Sequence, residues 1–289
     1  MKSDILKLAP CRVGKPWGGG HLGVSQETGE NIGELVLISD LPQFPVLTES
    51  GQTFRDYWRI NGNTDQFPFM IKILSTREPL SLQVHPADED IEQLKLAGRG
   101  KAEAWVILHA AEDAITYLGM KDYKDRSKIL QSSGNLLSLC NSVKLKKDDI
   151  VILSPGLIHG TQGELFFFEI QQPSDHTFRI DDFGRGRELH LQNAYTVTRN
   201  LKPKITTTET SLSSPFFQVD FYNLSPNQKI ESNSDLMVLT MIEGSLNLQI
   251  DNRDFLLQPF DTFLLLGQHQ INCTDGVGKL FCARPGISN

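Results

Sequence analysis

Between Phe67 and Ile180 the chain is a succession of short β-prone segments, FMIKIL, LSLQVH, AWVIL, AITYLG, DIVIL, LFFFEIQ and TFRI, each closed by turn residues. Segments of this length and composition predict strands, and so many of them in so short a span predict a sandwich or barrel. Two interruptions read as helices. Asp88 to Ala97 places Ile91 and Leu94 on one face, and Ser127 to Cys140 carries Ile129, Leu130, Leu136 and Leu137, with Gly134 weakening the second assignment. A polar stretch from Thr206 to Ser214 (TTTETSLSS) precedes a further strand set, LMVLTMIEG, SLNLQI, FLLQPF and TFLLLG, ending near Phe281. The chain is therefore expected to divide into residues 1–205, which hold the candidate chemistry and the helical insertions, and residues 206–289, a smaller all-β domain without a metal.

Composition narrows the function classes. A chain of 289 residues, 39% of them hydrophobic, can bury a proper core. Its 28 Lys and Arg against 35 Asp and Glu give a net charge of -7, so no global field attracts nucleic acid or an anionic membrane, and an anionic substrate has to be caught by local cations. Cys11, Cys140, Cys273 and Cys282 form no C-x-x-C pair, and the opening MKSDILKLAPCRVGKPWGG lacks the apolar run of a secretory signal, which points to a reduced, cytoplasmic setting. LFFFEI is far too short to cross a bilayer of roughly 30 Å.

The residues able to carry chemistry lie at strand ends. In LSLQVHP, alternation puts Gln83 and His85 on one face and Leu82 and Val84 on the other. Glu103 stands at a strand entrance in GKAEAWVIL, with Lys101 on the same side. His159 follows a Pro-Gly turn after DDIVIL, a position that presents an imidazole at a barrel mouth. Two imidazoles and a carboxylate make an open-site set for zinc, with Gln83 either a further ligand or a supporting amide. Any single one of seven histidines is more often a satisfied core or surface residue, and His21, His109, His176, His190 and His269 keep that reading. A strand-borne His, then Glu, then Pro-Gly-x-x-His is the order of cupins. The segment FFFEIQQPSDHTFRIDDFGRGRELH adds Glu169 and Arg179, which enter the same barrel either as a structural salt bridge or as working groups. Arg185 and Arg187 read as solvated surface charges.

KPWGGGHLG, IGELVLIS, QVHP, GKAEAWVIL, PGLIHG and EIQQPSDHTFRIDDFGR, in that order, resemble the type I mannose-6-phosphate isomerases, in their short bacterial form, over about residues 7–200. The resemblance implies a mainly β, tandem cupin fold (double-stranded β-helix, or jelly roll) with a few short helices inserted. It implies one zinc ion per chain at His85, Glu103 and His159, with Gln83 matching a further ligand position. It implies a phosphorylated hexose as partner, interconversion of mannose 6-phosphate and fructose 6-phosphate through a cis-enediol, and a monomer or weak homodimer. Arg179 and Glu169 match active-site positions, Lys101 lies beside the metal, and ring opening falls to Lys101 or a zinc-bound water. At Gly33–Leu37 the chain departs from the usual GESWE by losing an aromatic, a change at the mouth rather than at the ligands. Two alternatives stay open at this point: a sugar-phosphate-binding sensor with the same pocket, and an Fe(II) cupin oxygenase, since two His and a carboxylate suit iron as well.

Overall fold

The computed structural model describes residues 4–63, 65–131, 136–207, 209–232 and 234–286. The chain forms two compact units, one made of Arg12–Val36 and Met70–Thr208, the other of Met1–Cys11, Leu37–Phe69 and Glu209–Asn289. The cut in the second half of the chain falls three residues from the expected one, but the units are not consecutive along the sequence. Hydrogen bonding explains why: Asp4–Ala9 pairs antiparallel with Thr262–Leu266 on one side and with Leu47–Thr48 on the other, so the N-terminal strand completes the sheet of the C-terminal residues.

In the first unit a seven-stranded antiparallel sheet runs in the order Lys204–Thr207, Asp149–Leu153, Glu103–Ala110, Leu165–Gln171, Met70–Thr76, Ile32–Ile38, Cys11–Gly14. A second sheet orders Phe178–Asp181, Leu82–Val84, His159–Gln162, Ile115–Met120 and Cys140–Val143. Trp105, Phe167, Leu153 and Leu74 from the first sheet share a buried cluster with Leu118 from the second. The mainly β architecture expected from the sequence is therefore present, and DIVIL and LFFFEIQ are strands residue for residue.

The two expected helices are shorter than the pattern suggests. Asp88–Gln93 is an α-helix whose Asp90 carboxylate accepts from the Ala87 N–H at 2.8 Å, and it stops before Lys95, which is in the left-handed region at φ 53°. Ser127 to Cys140 is not one helix. It gives a 3-10 helix at Tyr123–Gln131, another at Leu136–Leu139, and Cys140 opens a strand. Ile129 and Leu136 each pin one turn, and the Lys128–Asp125 ion pair at i,i+3 (2.7 Å) suits three residues per turn. Gly134 lies outside the described residues. Among the described residues no helix is long and apolar enough to cross a membrane.

The second unit carries a nine-stranded sheet built around two long strands, Leu236–Ile250 and Gln270–Pro285. The first joins LMVLTMIEG and SLNLQI, which the sequence separates at Gly244. The second, which contains Gly276 and Gly278, is not among the segments expected as strands, and it runs past the expected end near Phe281. Gly244 and Gly278 are register partners, and the glycines permit close backbone approach rather than reversal. Gly244 has φ +88°, and a Cβ there would sit 2.2 Å from the Val277 carbonyl oxygen. Gly244→Ala is therefore expected to destabilise the protein by at least about 1–2 kcal/mol, read from denaturant unfolding; a change within 0.5 kcal/mol would remove the close-approach argument.

Candidate metal centre and active site

Four neighbouring strands of the seven-stranded sheet each deliver a polar side chain to one cavity. Register places Glu169 opposite both Trp105 and Lys72, and Glu103 opposite Gln171; Glu34 comes from Ile32–Ile38, the strand beyond Met70–Thr76. The alternate residues Ile71, Ile73, Phe168 and Ile170 are buried on the other face of the sheet. The second sheet closes the cavity with Gln83, which is paired to His159 and to Arg179. Lys15, Trp17, Asp175, Thr177 and Arg187 complete a cleft of about 580 Å³ including its mouth.

At its base His85, Glu103 and His159 are each 2% exposed, and one ligand atom from each falls within 4.8 Å of the others. Both imidazoles are oriented by the backbone. His85 Nδ1 donates to the His176 carbonyl at 2.8 Å, and His159 Nδ1 donates to the Leu157 carbonyl at 3.0 Å, so both Nε2 lone pairs point at Glu103. Glu103 Oε1 lies 3.2 Å from His85 Nε2, and Oε2 lies 3.5 Å from His159 Nε2 while accepting no hydrogen bond. Tetrahedral zinc with bonds near 2.1 Å separates its ligand atoms by about 3.4 Å, so the donor set fits such an ion. Gln83 turns its amide nitrogen towards both Nε2 atoms, at 3.4 and 3.2 Å, and its oxygen towards Ser81 Oγ at 2.7 Å. Rotating the amide by half a turn brings its oxygen to the ligand side, and the Ser81 hydroxyl then accepts instead of donating.

The charges around this base are buried and unevenly paired. Lys101 Nζ is 2.7 Å from Glu103 Oε1, which it reaches with a side chain only 7% exposed. Burial alone drives the Glu103 carboxyl upward, but Lys101 and the two imidazoles overcome this and hold it well below the usual carboxylate range. Burial pushes His85 down and His159 down to about 4, which favours the neutral form that a metal requires. Glu34 is also pushed up by burial, yet Lys72, Lys15 and Lys101 bring it to about 2. Glu169 is different. Its Oε2 accepts from the Trp105 indole N–H at 2.8 Å, and its nearest ammonium, Lys72, stands 3.8 Å away. Burial and the neighbouring Glu103 carboxylate therefore outweigh the lysines and raise it to about 7.

Arg179 reaches the cleft with a buried Nε that has no hydrogen-bond partner. Arg185 and Arg187, expected at the surface, are instead both held by the buried Asp182: Arg185 Nη2 donates to its Oδ1 at 3.0 Å and Arg187 Nε donates to the same oxygen at 2.9 Å. Arg187 lines the cleft as a result. Five of the seven candidate site residues, Gln83, Lys101, Glu103, Glu169 and Arg179, thus line one cavity, and His85 and His159 adjoin it through Glu103. Lys15, Glu34 and Lys72 join them without having been singled out, and Arg187 joins them against its surface reading. A lone charge inside an apolar strand was the available signal for Glu34 in IGELVLI and Lys72 in MIKILST, as it was for Glu169 in LFFFEIQ.

Residues 13–102 match the family model described as phosphomannose isomerase type I, catalytic domain. The chain is 28% identical to "Mannose-6-phosphate isomerase ManA" of Bacillus subtilis (strain 168) over 277 residues, 84% of this chain and 87% of that protein. It is 30% identical to "Probable mannose-6-phosphate isomerase GmuF" of the same strain over 212 residues, 66% of this chain and 67% of the relative. Its fold matches the crystal structure of the mannose 6-phosphate isomerase from Bacillus subtilis at a TM-score of 0.83 and 23% identity, covering 97% of this chain and 99% of that one.

If the buried triad holds an ion, protein purified without chelator should carry one tightly bound divalent metal, and His85→Ala should lose it while keeping its fold. Full occupancy of that tight site in the variant, by elemental analysis after dialysis, would sink the ligand assignment.

Proposed function

Because the chain belongs to the type I phosphomannose isomerase family, we propose that it interconverts mannose 6-phosphate and fructose 6-phosphate with one zinc ion held by His85, Glu103 and His159 and, after its amide turns, by Gln83. The observation that carries the reading is the buried Glu169 carboxylate, held by the Trp105 N–H at 2.8 Å, in a cleft that is also lined by Glu103 of the two-His, one-Glu donor set. Bound there, zinc would supply Lewis-acid stabilisation of charge that develops on the sugar oxygens, chemistry that needs no change of oxidation state.

In the aldose-to-ketose direction a proton leaves C2 and a proton is delivered to C1, while the hydroxyl proton of O2 is lost and O1 gains one. The species between is a cis-enediol. Glu169 is suited to shuttle the carbon-bound proton, because a group near 7 is available both as base and as acid at neutral pH. The Trp105 N–H fixes one of its oxygens, so the carboxylate does not have to be reoriented between the two transfers. Arg179 brings a planar guanidinium with a free Nε–H to the negative charge of the enediolate. Lys101 stands beside Glu103 and assists opening of the sugar ring. Although the chain as a whole carries -7, this cleft is lined by five cations, Lys15, Lys72, Lys101, Arg179 and Arg187, against four carboxylates, Glu34, Glu103, Glu169 and Asp175; with the three lysines paired to carboxylates, Arg179 and Arg187 are the cations best placed to meet a phosphate dianion.

Glu169→Gln keeps shape and hydrogen bonding but removes the base, so turnover in a coupled assay for fructose 6-phosphate should fall by about two to four powers of ten with little change in substrate affinity. Wild-type turnover should decline as pH drops through about 7, since protonation removes the base. The stability effect has the opposite sign to a salt bridge. A carboxyl raised in the folded state contributes stability below its ordinary value of 4.5, and that contribution is lost as pH rises through about 7. At pH 8 Glu169→Gln should therefore melt no lower than wild type. Normal turnover with a markedly lower melting temperature would make Glu169 a structural partner of Lys72 and move the base elsewhere. Binding of the sugar phosphate by wild type without turnover would favour the sensor. Arg179→Lys keeps the charge but loses the fork, and should slow turnover more than it weakens binding.

A further inference from the structure

Outside the buried triad, the described residues bring together one further group with the donors for an ion: His21, His109 and Glu164, with one ligand atom from each within 4.8 Å of the others. They come from three separate segments, and the fold holds each in place. His109 is on the Glu103–Ala110 strand, where unbroken alternation would turn it to the same face as Glu103 and Trp105. It does not point there. The register against Leu165–Gln171 slips between Phe166 and Phe167, so that Phe166 pairs with His109 and Phe167 with Ile107, leaving Leu108 as the extra residue. This bulge re-aims His109 to the opposite face, beside Phe166. His21 stacks on the Phe166 ring, with centroids 4.7 Å apart and planes 18° from parallel. Glu164 follows Gly163, whose φ of +89° turns the chain, and its carbonyl is tied to the Ala111 N–H at 3.0 Å.

The distances suit coordination by small movements. Glu164 Oε1 is 3.0 Å from His21 Nε2 and 3.7 Å from His109 Nε2, on either side of the spacing expected around a tetrahedral ion. All three side chains are about one-third to one-half exposed, which leaves room for water as a further ligand. Two imidazole nitrogens and one carboxylate favour zinc, cobalt, nickel or copper over calcium and magnesium, which prefer all-oxygen shells.

We propose that His21, His109 and Glu164 form a second, solvent-facing site for a divalent transition ion, which staples the segment bearing Lys15 and Trp17 to the end of the sheet. That segment already leans on the sheet through the Gly19 N–H to the Ser75 carbonyl at 2.9 Å and the Arg77 N–H to the Trp17 carbonyl at 3.0 Å. An ion at His21 adds a tie at its far end. Since Lys15 and Trp17 line the catalytic cleft, occupancy of the outer site bears on how firmly that wall is held.

The test uses the full-length protein with its tightly bound metal left in place. Equilibrium dialysis against Co²⁺ or Zn²⁺ at pH 8, read by elemental analysis, should show a second equivalent in wild type. In His109→Gln, and independently in His21→Asn, that equivalent should be weakened by more than the roughly 10–100-fold that loss of a supporting hydrogen bond costs a metal site, while the tight equivalent stays. His85→Ala should show the reverse, which separates failure of this site from failure of the buried one. The second equivalent should also slow hydrogen exchange in residues 15–22 of wild type but not of His109→Gln. Saturation of wild type at one equivalent, or equal uptake by the histidine variants, would overturn the site. Uptake with no change in exchange would overturn the staple.

Discussion

Three carboxylates buried in one sheet face the same desolvation penalty, and the position of the nearest ammonium decides what each becomes. Glu103, with Lys101 at 2.7 Å and two imidazoles beside it, is held ionised. Glu34, with Lys15 at 3.3 Å and Lys72 at 3.5 Å, is held ionised as well. Glu169 shares Lys72 with Glu34 at the longer distance of 3.8 Å, and it also feels the Glu103 charge, so its proton is the one left in contention. A ligand carboxylate has to be ionised to hold a cation, and a proton shuttle has to be near neutrality. Distances that differ by about an ångström in a dry cavity separate these roles.

The sheet makes that arrangement affordable. Isolated charges at these depths would be strongly destabilising, but Glu34, Lys72 and Glu169 sit on three adjacent strands and form a continuous row of ion contacts, ended by the Trp105 N–H. The pleat then keeps the apolar residues of the same strands on the opposite face. Lys72 is the member that both carboxylates share: its removal would leave Glu34 to Lys15 and take from Glu169 the ammonium nearest to it, whereas removal of Glu169 would leave Lys72 paired to Glu34.

Much of this was legible in the sequence, for identifiable reasons. Metal-capable residues at strand ends follow from period-2 alternation, and His85, Glu103 and His159 converge as that alternation and the cupin order suggest. Glu169 was visible because a charge inside LFFFEIQ has no apolar reason to be there. Lys72 in MIKILST carries the same signal and lies directly opposite it, yet its meaning appears only once the register is known. Lys15 and Glu34 come from a segment that reaches the cavity through strand order, which local pattern does not encode. Arg185 and Arg187 were read as solvated because the reading stopped at the arginines; Asp182, buried between them, is what turns them inward. In the C-terminal half, glycines that permit close strand approach were indistinguishable from glycines that permit turns.

The same strand pair serves two surfaces because of one extra residue. Along Glu103–Ala110, Glu103 and Trp105 face the cavity and remain in register with Gln171 and Glu169. Past the slip at Leu108 the parity of the strand reverses, and His109 faces outward with Phe166 while Phe167 stays in the core against Trp105. A pattern rule with a fixed period of two assigns His109 to the wrong face, and no propensity in AWVILHA marks the break. The bulge therefore accomplishes two things at once. It keeps a further imidazole out of a cavity whose charge balance is already set, and it delivers that imidazole to His21 and Glu164, the one place on the outer face where the described residues offer it comparable partners.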